Sequence, residues 1–498
     1  MTNKSKFVDH IAGGYSSKGE TITLGAAMLG DETLTNSLVK IPLKTINRHG
    51  LISGATGTGK TKTLQVFAEN LSEKGIPVLL MDLKGDLSGL AKASPGHPKI
   101  DERHKKIGIP FEAKGFPIEI LSISEQKGTR LRATVSEFGP VLLSRILGLS
   151  EVQEGILAIL FQYCDDQGMG LLDLKDLKKI LQFATQEGKQ EIESKYGRVS
   201  TASTGSILRK IVALEQQGAD LFFGERSFDV KDLCRLSEDG RGIISVMRLT
   251  DIQDKPQMFS TFMLQLLAEV YASFPELGDS DRPELVMFID EAHVVFDNAS
   301  KSLLDQLESI VKLIRSKGIG IYFVTQNPKD IPSDVLSQLG LKIQHALRAF
   351  TAKDRKAIKL AAENYPDSEF YDTDKVLTEL GIGEALVSAL NEKGVPTPLV
   401  KTMLRAPMSR MDVLTPSELD TIIASSNISM KYNEVIDSES AYEILNKKIS
   451  RVKEEAAKSV PEPKRKKSQR STINPVLKVL TSATFIRGVF GILNKVMR

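Results

Sequence analysis

Short runs of apolar residues, bounded by glycines or polar turns, set the frame of this chain. Leu51 and Ile52 lead into a glycine-rich stretch at residues 54–59, and a helical pattern follows over residues 60–74. Pro77-Val-Leu-Leu-Met81 is apolar without alternation, the signature of a strand buried on both faces. Strand, loop, helix and strand make the opening unit of a parallel sheet. Further strands are predicted at Gly242-Ile-Ile-Ser-Val-Met247, Leu285-Val-Met-Phe-Ile289 and Ile319-Gly-Ile-Tyr-Phe-Val324, with helical segments between them and another strand at residues 342–346. The expected fold class is α/β with a doubly wound, mostly parallel sheet.

Two stretches break that rhythm. Between about 124 and 240 the apolar residues recur at helical spacing: Leu142, Leu143, Ile146 and Leu147, then Ile156, Leu157, Ile159 and Leu160, then Leu174, Leu177, Ile180 and Leu181. This predicts a mainly helical insertion at 124–240, dividing the sheet domain into 1–123 and 241–410. The first fifty residues read as short β segments, including residues 22–24 and 38–41. A helical extension is expected at 411–459, with residues 441–458 as an exposed helix. A basic linker follows at 460–474. Residues 475–498 are predicted to form an amphipathic helix with Val476, Val479, Leu480, Ala483, Ile486, Phe490, Leu493 and Met497 on one face.

Charge changes the picture only at that end. The net charge of +3 divides into +9 after residue 457 and −6 before it. Contact with a polyanion is therefore expected to be local, and the basic helix is suited to an anionic membrane surface or to a partner. No run of 18 uncharged apolar residues and no signal-peptide core occurs. The two cysteines, Cys164 and Cys234, have neither metal-ligand nor redox-motif spacing. The expected location is the cytoplasm, free or peripherally attached at a membrane.

The chemistry is concentrated at two strand ends. Gly54-Ala-Thr-Gly-Thr-Gly-Lys60-Thr61 fits the phosphate-binding pattern G-x4-G-K-[ST] in full. Glycines let successive backbone N–H groups turn toward phosphate oxygens, Lys60 adds a point charge, and Thr61 offers a hydroxyl to Mg²⁺. Nucleotide contacts are expected from Gly54, Ala55, Thr56, Gly57, Thr58, Gly59, Lys60, Thr61 and Lys62. The strand Leu285–Ile289 delivers Asp290, a second Mg²⁺ ligand, and Glu291, a base for the attacking water. ATP with Mg²⁺ is the expected substrate and cofactor, and the fold narrows to a RecA-like P-loop NTPase. Asp82 ends the strand after the P-loop helix and faces the same crevice. Gln326, at the tip of another strand, is suited to orienting water or sensing the γ-phosphate. His293 reads as a structural histidine. Arg315, Arg348 and Arg355 are rival candidates for an arginine acting on a neighbouring subunit's nucleotide, and local sequence does not choose among them.

These motifs, with Asp82-Leu-Lys-Gly-Asp86, Arg315-Ser-Lys-Gly-Ile-Gly320 and Phe323-Val-Thr-Gln-Asn327, resemble the HerA/FtsK superfamily of hexameric ATPases. Asp330-Ile-Pro332, Leu339-Gly-Leu-Lys-Ile-Gln-His-Ala-Leu-Arg-Ala-Phe-Thr351 and Gly381-Ile-Gly-Glu-Ala-Leu-Val387 are similar to its DUF853 group of HerA-like helicases, over residues 20–445. The resemblance implies a homohexamer that couples ATP hydrolysis to movement along DNA without reading its sequence. It puts Lys60, Thr61, Asp290 and Glu291 on catalytic positions, Arg315 on the trans-acting arginine, and Asp82 and Gln326 on family positions. About fifty residues precede Gly54, too few for the N-terminal β-barrel of HerA proteins proper. Two rival readings are a membrane-associated secretion or conjugation ATPase and a regulatory ATPase that does not translocate.

Overall fold

The computed structural model describes residues 2–278, 280–297, 301–434 and 436–458. The expected basic linker and terminal amphipathic helix lie outside the described residues. The chain divides into two units, residues 1–131 with 227–434, and residues 132–226 with those after 434.

The first unit holds one sheet of twelve strands: β1 (Thr21–Leu29), β2 (Glu32–Pro42), β3 (Gly50–Ser53), β4 (Val78–Asp82), β5 (Ile118–Ser122), β6 (Thr129–Arg130), β7 (Ile244–Arg248), β8 (Leu285–Ile289), β9 (Ile319–Thr325), β10 (Leu341–Gln344), β11 (Glu384–Ser388) and β12 (Val400–Leu404). Their order is β2-β1-β12-β11-β10-β3-β9-β8-β4-β7-β5-β6. From β10 to β6 every pairing is parallel. The other four strands add an antiparallel edge. Every residue of β3, β4, β8 and β9 is buried, as continuous apolar runs require.

Strand alternation sends successive side chains to opposite faces, and helices cover both. Helix α2 (Lys60–Glu73) lays Phe67 against Phe288 and Tyr322, with ring centroids 5.7 and 5.1 Å away. On the other face Ile289, Ile321 and Phe323 meet Met263 and Leu267 of helix Pro256–Ser273 and Leu307 and Val311 of helix Lys301–Ile314. At about 25 cal/mol per Å² of apolar surface, burying each such side chain contributes roughly 1.5–3 kcal/mol.

The N-terminus departs from expectation. Residues 3–15 form helix α1 (Asn3–Tyr15), not a β segment, with Thr2 as its cap. Phe7, Ile11 and Tyr15 are its buried stripe, four residues apart on one face. Phe7 packs edge-on to Phe370 and Tyr371, and the Tyr15 hydroxyl donates to Pro398 O at 2.8 Å. Glycines 13 and 14 obscure this helix in the sequence. The two β segments are real, and they extend the main sheet as its antiparallel edge.

The second unit contains helices Val135–Ile146, Glu151–Gln167, Leu174–Thr185, Lys189–Tyr196, Thr201–Glu215 and Ala441–Lys458. The last was expected from the sequence to be exposed, and it is not fully so. Ala441, Leu445 and Ile449 are buried, and Asp176 accepts from Ser440 Oγ and Tyr442 N, at 2.6 and 2.7 Å. Spacing alone gave a helix; the partner that covers its apolar face lies more than 250 residues away in sequence. Among the described residues no helix is long and apolar enough to cross a membrane.

Candidate nucleotide site

Parallel strands carry their loops to a common edge, so β3, β4, β8, β9 and β10 deliver the predicted residues to one place. The loop after β3 turns sharply at Gly54, whose φ is +148°. A Cβ there would lie 2.5 Å from His345 Cβ, so the turn admits only glycine. Lys60 opens α2 and folds back, donating to Gly54 O at 2.6 Å and Ala55 O at 3.2 Å. Burial and the nearby Lys84 ammonium lower its pKa. Thr61 is partly exposed in the first turn of α2. Lys62 is turned to the Met411 carbonyl and the Gln65 amide oxygen.

β8 ends at Asp290 and Glu291. The Asp290 side chain is only 3% exposed, and its Oδ2 has no hydrogen-bond partner among the described residues. Burial pushes its pKa up to about 6; the Lys84 ammonium opposes this and the Glu291 carboxylate adds to it. Glu291 has a φ of +46°, a left-handed backbone that costs a non-glycine residue about 1–3 kcal/mol. Its Oε1 ion-pairs with Lys84, and its Oε2 lies 3.2 Å from His293 Nδ1.

Asp82 does not present its carboxylate to the crevice. Oδ1 accepts from Gly85 N and Asp86 N at 2.7 and 3.3 Å, and Oδ2 from Leu87 N at 3.1 Å. Burial pushes its pKa up to about 7, with the Asp86 charge acting in the same sense. The effect of this tight turn is to aim Lys84 at the end of β8. Lys84 was not singled out from the sequence, although it stands inside the quoted Asp82-Leu-Lys-Gly-Asp86 motif. Its pKa is raised: burial works downward, and the Asp290 and Glu291 carboxylates more than offset it.

His345 was also missed. It is buried beside Gly54 and Gly59, its Nε2 is 2.9 Å from Thr63 Oγ1, and burial pushes its pKa down to about 4. It therefore stays neutral as a wall of the loop. The polar pair Gln344-His345 at the end of an apolar strand was the available signal. From the antiparallel edge, Gly383 N donates to Thr58 O at 3.0 Å, and Arg103 holds that turn through the Ile382 and Gly383 carbonyls.

Gln326 follows β9 and is exposed on the rim of a cleft of about 480 Å³, which Ala55, His293, Arg348 and Phe350 also line. Arg348 thus lies beside the chain's own P-loop. Arg315 does not. It precedes β9, as Arg48 precedes β3 and Gly340 precedes β10, and these residues line a second cavity, about 440 Å³, at the opposite edge of the sheet. The seven residues of β9 separate the edges by roughly 20 Å at about 3.3 Å per residue. Arg315 therefore cannot reach a nucleotide on its own P-loop. Arg355 is exposed on helix Ala352–Ala362.

Comparison with known proteins agrees with this geometry. The family model for the Helicase HerA-like C-terminal region matches residues 28–488. The DNA double-strand break repair helicase HerA of Saccharolobus solfataricus is 23% identical over 369 residues, which cover 73% of this chain and 66% of that protein. The DNA import protein CedB of Sulfolobus acidocaldarius is 24% identical over 359 residues, 72% of this chain and 52% of CedB. The chain thus spans about two thirds or less of the length of these relatives. Among solved structures, the bacterial conjugative coupling protein TrwBdeltaN70, in its trigonal form with sulphate, superposes with a TM-score of 0.53. Identity there is 14%, with 83% of this chain and 95% of that one covered, a likeness of fold.

Proposed function

The chain belongs to the Helicase HerA-like C-terminal family, and on that premise we propose that it is an ATP-hydrolysing ring motor, probed best as a hexamer, that moves DNA. The observation that carries this reading is the convergence of Lys60, Thr61, Asp290 and Glu291 at one sheet edge, from strands β3 and β8. The backbone N–H groups of residues 54–61 and Lys60 receive the phosphates. A hard dication suits the oxygens of Thr61 and of Asp290, whose buried Oδ2 has no hydrogen-bond partner among the described residues. When bound, Mg²⁺ supplies neutralisation of phosphate charge.

Glu291 is the base. It takes a proton from the water that attacks the γ-phosphorus, and the bond to the β-bridging oxygen breaks to give ADP and phosphate. Gln326, on the cleft rim, positions that water. Arg315, at the far edge, serves the nucleotide of a neighbouring copy, which makes hydrolysis depend on the ring. DNA passes as a polyanion, held by Lys and Arg through its backbone, so binding weakens steeply with salt. The names of the HerA and CedB relatives, a repair helicase and a DNA import protein, support DNA as the track.

The test is steady-state ATP turnover by the purified chain, alone and with duplex or single-stranded DNA at low salt. Acceleration of several-fold by one DNA form supports the motor. Robust turnover indifferent to DNA keeps the ATPase and sinks translocation.

A further inference from the structure

Two ammonium groups face the carboxylates at the end of β8, and the phosphate-binding motif accounts for only one of them. Lys60 lies on its own loop, bonded to Gly54 O and Ala55 O. Lys84 comes from the loop after β4, contacts Glu291 Oε1 and sits 3.8 Å from Asp290 Oδ2. Its loop is fixed by three backbone N–H groups on Asp82 and by Gly85, which has a φ of +78°. The stem is flexible and the side chain is 34% exposed, so the ammonium can change partner while its backbone stays put.

We propose that Lys84 is a γ-phosphate sensor that holds Glu291 in an ion pair and leaves it for the γ-phosphate when ATP binds. This rests on the ATPase reading above. A base must present a lone pair to water, and a carboxylate in contact with an ammonium is a weaker proton acceptor. Lys84 therefore restrains Glu291 while the P-loop is free or holds ADP. The γ-phosphate brings about two negative charges into the same crevice, a stronger partner than one carboxylate. Transfer of Lys84 releases Glu291 toward water only when there is a γ-phosphate to attack. No covalent bond changes in this exchange; one ion pair replaces another. ADP, lacking that phosphate, leaves the Lys84–Glu291 pair closed.

The exchange is read by a binding cycle on the full chain. Affinities for Mg²⁺ with ADP, and for Mg²⁺ with a non-hydrolysable ATP analogue, are measured for wild type, Lys84→Met, Glu291→Gln and the double variant. Lys84→Met is expected to weaken the analogue by roughly 10- to 100-fold, the loss of one charged hydrogen bond, while ADP changes less than about twofold. Glu291→Gln frees Lys84 and tightens the analogue several-fold, an effect that vanishes in the double variant because nothing remains to be released. Lys84→Arg keeps most of the preference for the analogue. Equal weakening of ADP and analogue, or a Glu291→Gln effect that persists without Lys84, overturns the proposal. Should Lys84→Met fail to fold, Glu291→Gln reads the exchange from the other side, and an unchanged ratio of analogue to ADP affinity there overturns it equally. Wild-type protein that binds both nucleotides but never hydrolyses ATP removes the ATPase reading, whereas hydrolysis with a flat cycle removes only the sensor.

Discussion

At the carboxyl edge of the sheet, Lys60, Lys84, Asp290 and Glu291 crowd together, with a left-handed Glu291 backbone and an Asp290 Oδ2 that has no hydrogen-bond partner among the described residues. At the amino edge the polar groups are provided for. His49 Nε2 is 2.8 Å from Val311 O, and its Nδ1 accepts from Ile321 N at 3.0 Å. Lys317 donates to Phe274 O at 2.7 Å and lies over the Tyr271 ring. One sheet thus carries one edge whose charge awaits a ligand and one edge whose polar groups are spent on holding the fold. The difference teaches where substitution should change chemistry and where it should change stability.

The largest effect is expected at the loaded edge. Glu291→Gln should reduce kcat by roughly 10²–10⁴ without weakening nucleotide binding, since it removes the proposed base and keeps the shape. Retention of more than a tenth of wild-type turnover would break the assignment of Glu291. Arg315→Ala sharpens the comparison, because Arg315 stands at the amino edge and yet is assigned to chemistry. Loss of one transition-state donor predicts a fall in kcat of roughly 10²–10³. On the proposal that this chemistry lies in another copy, mixing Arg315→Ala with Glu291→Gln should restore measurable turnover: some interfaces regain an intact base and an intact arginine. Two inactive proteins that stay inactive when mixed would refute action in trans.

The edges also differ in how they were legible. The glycine-rich loop, Asp290 and Glu291 could be read directly, because a phosphate cradle and strand-end carboxylates need fixed residue types at fixed spacing. The parallel strands were equally plain, as continuous apolar runs too short for helices. Lys84 and His345 were not. Each owes its place to a strand neighbour distant in sequence: β4 pairs with β8, and β10 with β3. Nor could local spacing reveal that Arg315 lies across the sheet from its own P-loop, which depends on the strand direction of β9 beside β3. Strand β11 was quoted in part as a family motif and β12 was not, and neither was recognised as part of an antiparallel edge, since pairing order is a tertiary fact. Helix α1 shows the reverse case. Its stripe of Phe7, Ile11 and Tyr15 has helical spacing, although Gly13 and Gly14 weaken the helical propensity of its last turn.

His49→Ala tests the quiet edge. Removing two hydrogen bonds and leaving a cavity should destabilise the first unit by about 3 kcal/mol at pH 8, with turnover per folded molecule unchanged. The sign with pH follows from burial, which pushes the His49 pKa down to about 4 from 6.5. Neutral His49 is the folded form, so its stabilisation is complete above pH 6.5 and is lost as pH falls toward 4. The gap in urea midpoint between wild type and His49→Ala should therefore narrow from pH 6.5 downward. A gap that widens on acidification would contradict the burial argument.

The smallest effect is expected from Gln326→Ala, and it divides the two kinds of residue most finely. Gln326 shares the carboxyl edge with Glu291 but is exposed, on the rim of the cleft that Ala55, His293 and Arg348 line. Its amide is neutral, and it is assigned to orienting water rather than to taking a proton. Loss of orientation alone should lower kcat by about tenfold, roughly 1.4 kcal/mol of barrier, with KM for ATP little changed. Because the side chain is exposed, the urea midpoint should not move, in contrast to His49→Ala. A drop in kcat with constant stability puts Gln326 with the ligand-awaiting edge by function as well as by position. Unchanged kcat would leave it a polar strand end, and the water would then be positioned by Glu291 and the phosphate cradle alone.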